Sequence, residues 1–215
     1  MRRWIAPLLA LFFLLPGLIV PEPTMAAPPQ QAVFAGGCFW CLEHDLEGLP
    51  GVLSVESGYS GGSVANPSYR QVSAGGTGHQ ESVLVRFDPD RLSYRKLLEA
   101  YWRNVDPLDG GGQFCDRGDS YRAVIFTDGA AQASQARASA DAAARQLKVS
   151  RSALAVQIKP LERFWSAESY HQNYAKRNRV RYSYYRWACG RDQRLRQVWG
   201  AARSDLPLDP PTFPA

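Results

Sequence analysis

Strands and helices follow one another in this sequence in the order strand–helix–strand–strand–helix–strand. That order predicts an α+β fold, an α/β sandwich on a ferredoxin-like split βαβ core, with a mixed sheet and helices packed on it. Two further observations support it. Residues 81–87 alternate in the period of a strand. Two glycine-rich stretches of ~15–20 residues, long for a compact domain, read as functional loops.

The elements are legible in turn. Ala32 to Ala35 is a short strand, broken by Gly36-Gly37, and Cys38 to Leu46 is a helix whose first turn holds a Cys-x-x-Cys. Pro50-Gly51 turns into a strand from Val52 to Tyr59, and a Gly/Ser/Asn/Pro loop runs from Ser60 to His79. Glu81 to Phe87 is a strand that Asp88-Pro89 ends. Ser93 caps a helix reaching Asn104, with Leu97, Leu98, Tyr101 and Trp102 on its apolar side. The second loop, Asp106 to Ser120, leads to a strand from Tyr121 to Phe126. Ala130 to Leu147 is helical by composition, and Ala155 to Ile158 is the fifth short strand.

At 215 residues the chain has room for one domain with a real core, assigned to residues 27–205. Arg2-Arg3, the apolar run from Trp4 to Val20 and the small residues Thr24-Met25-Ala26-Ala27 have the layout of a secretory signal, residues 1–26. The expected destination is outside the cytoplasm, in the periplasm; an uncleaved membrane anchor is the alternative. Residues 206–215 form a proline-rich tail. The net charge is +5, with much of the excess between Lys176 and Arg196. This segment reads as a solvated basic face and not as a nucleic-acid patch, because no RNA- or DNA-binding motif accompanies its tyrosines. A monomer is expected.

Cysteines stand at 38, 41, 115 and 189. A domain of this size does not need disulfide staples, so the Cys-x-x-Cys spacing points to redox chemistry. A thiol at Cys38, opening a helix, feels unpaired N–H groups that favour its thiolate. Lowering a thiol pKa from ~8.5 to ~7 raises the thiolate fraction roughly fifteen-fold, but falling nucleophilicity leaves a rate gain of only about three-fold. A hard reaction therefore needs a partner acid. Glu81 shares its strand face with Val83, Val85 and Phe87, so burial would raise its pKa and keep a proton available. A strand-end glutamate reaching solvent fits the same pattern. Tyr69 and Tyr121, in or beside the loops, are candidate phenol donors, and Phe39 and Trp40 candidate pocket walls; ordinary packing roles fit each of them too. His44, His79 and His171 show no ligand spacing, and a lone Cys-x-x-Cys supplies only two of the four ligands of a zinc site, so no metal or other cofactor is expected.

The blocks together resemble a known family. Gly36-Gly37-Cys38-Phe39-Trp40-Cys41 is similar to the active-site motif of the A-type peptide methionine sulfoxide reductases, in a Cys-Phe-Trp-Cys subgroup. The likeness continues through Gly58-Tyr59-Ser60-Gly61-Gly62, Asn66-Pro67-Ser68-Tyr69-Arg70-Gln71-Val72 and Thr77-Gly78-His79-Gln80-Glu81. It extends to Asp116-Arg117-Gly118-Asp119-Ser120-Tyr121-Arg122 and Tyr170-His171-Gln172-Asn173-Tyr174, covering about residues 33–187. The resemblance implies Cys38 as nucleophile on the sulfoxide sulfur, Glu81 as proton donor to its oxygen, and Tyr69 and Tyr121 as hydrogen-bond donors to that oxygen. It implies Phe39 and Trp40 as walls around the substrate methyl group and Asp116 as a carboxylate near the pocket. It also implies the S epimer of methionine sulfoxide as substrate, free or in proteins, and a thioredoxin-like thiol reductant.

Two features depart from the family pattern. The glycine-rich tail with resolving cysteines is missing, and Ser120 replaces the usual glutamine before Tyr121. Cys41 is then the first choice to resolve a Cys38 sulfenic acid, Cys189 the second, and Cys115 reads as a buried or bystander thiol. The competing readings are a thiol–disulfide oxidoreductase using the Cys-x-x-Cys and an exported basic binding module.

Overall fold

The computed structural model describes residues 26–200. The expected signal segment up to Met25 and the proline-rich tail lie outside them. Eight strands and seven helices are described: β1 (Gln30–Ala35), α1 (Phe39–Glu47), β2 (Val52–Ser60), α2 (Tyr69–Ser73), β3 (Gln80–Phe87), α3 (Tyr94–Arg103), β4 (Gly112–Gln113), β5 (Asp116–Arg117), β6 (Val124–Thr127), α4 (Gly129–Leu147), β7 (Gln157–Pro160), β8 (Phe164–Ser166), α5 (Tyr174–Arg177), α6 (Arg179–Ala188) and α7 (Arg191–Trp199).

Six strands form one sheet in the order β7-β6-β1-β3-β2-β8. Its centre, β6-β1-β3-β2, is the split βαβ arrangement: β1 and β2 flank β3, and every pair in this centre is antiparallel. β7 joins β6 in parallel and β8 joins β2 antiparallel, so the sheet is mixed. Alternation divides its two faces. Ala32, Phe34, Val83, Val85, Phe87 and Ile125 enter the main core with Leu42 and Leu46 of α1 and Leu97, Leu98 and Tyr101 of α3. On the opposite face Val33, Ala35, Leu84, Val124 and Phe126 form a smaller cluster covered by Leu161 and Phe164.

Helix ends follow local chemistry. The Ser93 hydroxyl accepts from Lys96 N–H (3.3 Å) and starts α3 as expected. Ser68 and Gln71 form a reciprocal capping box that starts α2 inside the first long loop. The second loop contains the β4–β5 hairpin and a 3-10 turn over Asp119–Tyr121, so Tyr121 ends a turn instead of opening a strand.

The basic C-terminal segment corrects an expectation. It folds into α5, α6 and α7, and two of its arginines are buried: Arg186 is 4% and Arg191 1% exposed. Both bind Asp45 of α1, at 2.8 and 3.3 Å. A charge-dense stretch reads as solvated because the sequence does not reveal a buried carboxylate more than a hundred positions away.

Candidate active site

Cys38 is the N-cap of α1, reached through Gly37 at φ +82°. A Cβ at Gly37 would sit 2.7 Å from Cβ of Gln113, so glycine alone makes this entry without strain. The helix start has no side-chain cap of its own, and carboxyl groups from elsewhere serve it. Phe39 N–H donates to Glu81 Oε2 at 3.0 Å, and Cys38 N–H donates to the carboxylate of Asp116.

Glu81 projects from β3 toward this helix end and is 3% exposed. Burial pushes its pKa up to about 8, more than the Phe39 hydrogen bond lowers it. Of the two readings the sequence allowed, the buried proton carrier is the one the fold adopts. Asp116 is also raised, by burial first, although Tyr185 Oη donates to it at 2.6 Å and Arg191 lies nearby.

Expectation and structure part at Cys38. Burial pushes its thiol well up, reinforced by Cys41, Glu81 and Asp116, so the helix start does not make it the charged member of the resting site. Its thiol hydrogen-bonds to that of Cys41, whose pKa is lowered to about 7 by that bond and by Arg191 and Arg186, against burial. The two cysteines are buried, with free thiols hydrogen-bonded to each other, so they titrate as a pair.

Tyr69 and Tyr121 converge on the same place, their phenols hydrogen-bonded to each other. Burial raises Tyr69 to about 12 and Tyr121 further, so both remain protonated donors at neutral pH. Phe39 is buried and packs against Tyr59, Tyr69 and His171, with ring centroids 5.9, 6.4 and 4.8 Å away. Trp40 is half-buried and stacks on Tyr174 at 3.6 Å.

Four residues missed as site elements hold this set in place. Trp40 Nε1–H donates to His171 Nδ1 at 3.0 Å, which puts the neutral ring's proton on Nε2. Glu168 accepts from Tyr59 Oη (2.9 Å) and from Tyr69 N–H (2.8 Å), tying β2 to α2. Gln172 imitates an added strand: it accepts from Ser57 N–H at 2.9 Å and donates to Ser57 O at 2.8 Å. Glu43 of α1 accepts from Asn173 N–H at 2.9 Å. The Tyr170–Tyr174 block was the signal that could have located His171 and Gln172; Glu168 lies just outside it.

The remaining cysteines need a second correction. Cys115 is exposed, neither buried nor a bystander, and it forms a disulfide with Cys189. Both sulfurs and a carboxylate oxygen of Asp116 lie within 4.8 Å of one another. The second cysteine pair thus flanks the carboxylate that binds Cys38 N–H.

Comparison with known proteins agrees with this geometry. The family described as "Peptide methionine sulfoxide reductase" matches residues 30–203. "Peptide methionine sulfoxide reductase MsrA 2" of Caulobacter vibrioides is 55% identical over 179 residues, 83% of this chain and 90% of that protein. "Peptide methionine sulfoxide reductase MsrA" of Bacillus licheniformis is 45% identical over 179 residues, 82% of this chain and 97% of its own length. Among solved structures, methionine sulfoxide reductase A of Corynebacterium diphtheriae superposes with a TM-score of 0.65 at 31% identity, covering 71% of this chain and 76% of that one.

Proposed function

The chain belongs to the peptide methionine sulfoxide reductase family and is an oxidoreductase, a peptide-methionine (S)-S-oxide reductase; from this premise we propose how its residues divide the work. Cys38 gives up its thiol proton as its Sγ attacks the sulfoxide sulfur, while Glu81 gives its own proton to the oxygen, which Tyr69 and Tyr121 hold by hydrogen bonds; the proton from Cys38 restores Glu81. The sulfoxide S–O bond breaks as the OH passes to Cys38 Sγ, methionine leaves as the thioether, and Cys38 becomes a sulfenic acid. Phe39 and Trp40 wall the methyl group, and Asp116 fixes the nucleophile through Cys38 N–H.

One observation carries this reading. A carboxyl of pKa about 8, still protonated at neutral pH, sits on the N–H next to a buried thiol and beside two neutral phenols. Breaking an S–O bond needs an acid to protonate the departing oxygen, and thiol–disulfide exchange has no such oxygen.

Cys41 then attacks the sulfenic sulfur, water leaves, and a Cys38–Cys41 disulfide forms; a thioredoxin-like dithiol reduces it and becomes the disulfide. Two facts support Cys41 over Cys189 as the resolving thiol: Cys41 already hydrogen-bonds to Cys38, and Cys189 is engaged with Cys115. The leader-like layout of residues 1–26 supports a role in repairing exported proteins in the periplasm, which fractionation would test, and sedimentation would test the proposed monomer. The enzymatic test is a single-turnover assay on resolved diastereomers with a thiol reductant. The S epimer is reduced and the R epimer is not, and Cys38→Ser abolishes turnover. Peptide mass mapping after one turnover yields a Cys38–Cys41 disulfide; a Cys38–Cys189 peptide would reverse the order of resolution.

A further inference from the structure

Arg186 and Arg191 are buried, yet neither contacts the sulfoxide pocket described above. Both are anchored to α1 on the side that carries Cys41. Asp45 lies four residues after Cys41, hence on the same helix face. Asp45 Oδ1 accepts from Arg186 Nη1 at 2.8 Å, and its Oδ2 accepts from Arg191 Nη2 at 3.3 Å. Arg191 also donates to Asn104 O at 2.6 Å and reaches Gly36 O at 3.5 Å, just before Cys38. Its planar group lies over the Phe114 ring, 4.5 Å from the centroid. Arg186 further donates to Asp192 at 2.9 and 2.8 Å and to Tyr182 Oη at 3.0 Å, and Tyr182 packs with Cys38 and Cys41.

The two buried cations are unequally paired. Both guanidiniums share the buried carboxylate of Asp45, and Arg186 alone also holds Asp192, which is 20% exposed. Nε of Arg191 is buried with no hydrogen-bond partner among the described residues. An uncompensated buried cation costs several kcal/mol, so a fold that keeps one benefits from an anion beside it. The cysteine pair offers that anion, and the arginines stand on the Cys41 side.

We propose that Arg186 and Arg191 are positioning residues that form a buried cationic seat for a Cys41 thiolate, making Cys41 the charged sulfur of the pair. The direction of the Cys41 titration, to about 7 with both arginines among its causes, is consistent with this seat. The groups facing the pair are Cys38 and Asp45 of α1, Arg186, Tyr182 and Tyr185 of α6, Arg191 of α7, Glu81 of β3 and Asp116 of β5. Of these, only the two arginines carry positive charge.

The catalytic consequence rests on the reading above, in which Cys41 resolves the sulfenic acid. A seated thiolate is ready to attack Cys38–SOH without first losing a proton. When the Cys38–Cys41 disulfide is reopened by attack on Cys38 Sγ, the same seat makes Cys41 the better leaving sulfur.

The test is a pH titration of Cys41 in the fully reduced protein: the alkylation rate with iodoacetamide, read at the Cys41 peptide by mass. It needs no sulfoxide. The parent titrates near 7. An opposite charge close to a group shifts its pKa by ~1–3 units, so Arg191→Met raises the midpoint by ~1 unit and cuts the thiolate fraction at pH 7 roughly five-fold. Arg191→Lys restores the parent midpoint. Asp45→Asn, which removes the competing carboxylate, lowers it. A purely structural role would not move the midpoint in opposite directions. Nucleophilicity rises with basicity, so disulfide formation slows only about two-fold in Arg191→Met; the midpoint is the decisive quantity. An unchanged midpoint in folded Arg191→Met overturns the proposal. If that variant does not fold, a midpoint in Asp45→Asn that stays or rises overturns it equally. Should the arginine dependence hold while Cys41→Ser still forms a Cys38 disulfide after turnover, the seat stands and the assignment of Cys41 as resolver falls.

Discussion

Glu81→Gln changes one atom, an oxygen for an NH₂, and separates catalysis from stability at a single position. The glutamine Oε1 still accepts from Phe39 N–H where Glu81 Oε2 does so at 3.0 Å, so the helix start keeps its partner. What is lost is the transferable proton. General acid catalysis contributes ~10²–10⁴ in rate, and a drop of that size in the first turnover is expected. In the parent, a pKa of about 8 leaves roughly nine-tenths of Glu81 protonated at pH 7 and about one-tenth at pH 9. Single-turnover methionine formation therefore falls about ten-fold per pH unit above 8, a decline the variant lacks.

Stability moves the opposite way. The folded carboxyl titrates at about 8 and its ordinary value is 4.5, so between these values the folded state holds a proton that the unfolded chain has released. The contribution is fully present below about pH 4.5 and is lost progressively as the pH rises to about 8. Glutamine cannot ionise and escapes this loss, so at pH 7 the variant is more stable than the parent by about 3 kcal/mol. Urea denaturation of both proteins at pH 4.5 and pH 7 measures it. A Gln variant that keeps a third of parental turnover, or a stability difference that does not grow with pH, would refute the buried-acid argument.

Three further outcomes are expected. Tyr69→Phe and Tyr121→Phe each remove one hydrogen bond to a developing oxyanion, worth ~1.5–3 kcal/mol, so each lowers kcat/KM about 10–100-fold, measured with a peptide sulfoxide. Glu168→Gln keeps an acceptor for Tyr69 N–H (2.8 Å) but weakens its double tie to Tyr59 and Tyr69; kcat falls more than KM rises in steady-state assays, because the affected group positions the phenol that holds the departing oxygen. Gly37→Ala meets both the +82° φ and the Gln113 side chain; thermal denaturation registers a loss of ~1–3 kcal/mol, and activity falls because the start of α1 moves.

Much of the site could be read before any coordinates, and the particulars explain why. The alternation of β3 made Glu81 a candidate without deciding between a buried acid and a solvent-reaching one, and its role came from the family resemblance. Cys38 declared itself through the Gly-Gly break and the helix that follows. The order of elements was enough for the split βαβ core, since β1, α1, β2, β3, α3 and β6 each carry local periodicity or a cap. Glu168, Tyr185 and the two buried arginines gave no such sign. Each lies in the charge- and aromatic-rich C-terminal third, where periodicity does not distinguish a solvated arginine from one aimed at Asp45.

The sequence by itself determined which residues start the helix, which strand faces carry apolar side chains, and that a thiol and a carboxyl are available for redox chemistry. Those are properties of neighbours in the chain. Only the tertiary structure decided that the Cys38 and Cys41 thiols are buried and hydrogen-bonded to each other, that Cys115 is bonded to Cys189, and that α6 and α7 bring cations beneath α1. Burial and electrostatics are sums over neighbours in space, and here decisive ones lie far apart along the chain, 74 residues for Cys115 and Cys189 and 141 for Asp45 and Arg186, beyond the reach of any local pattern.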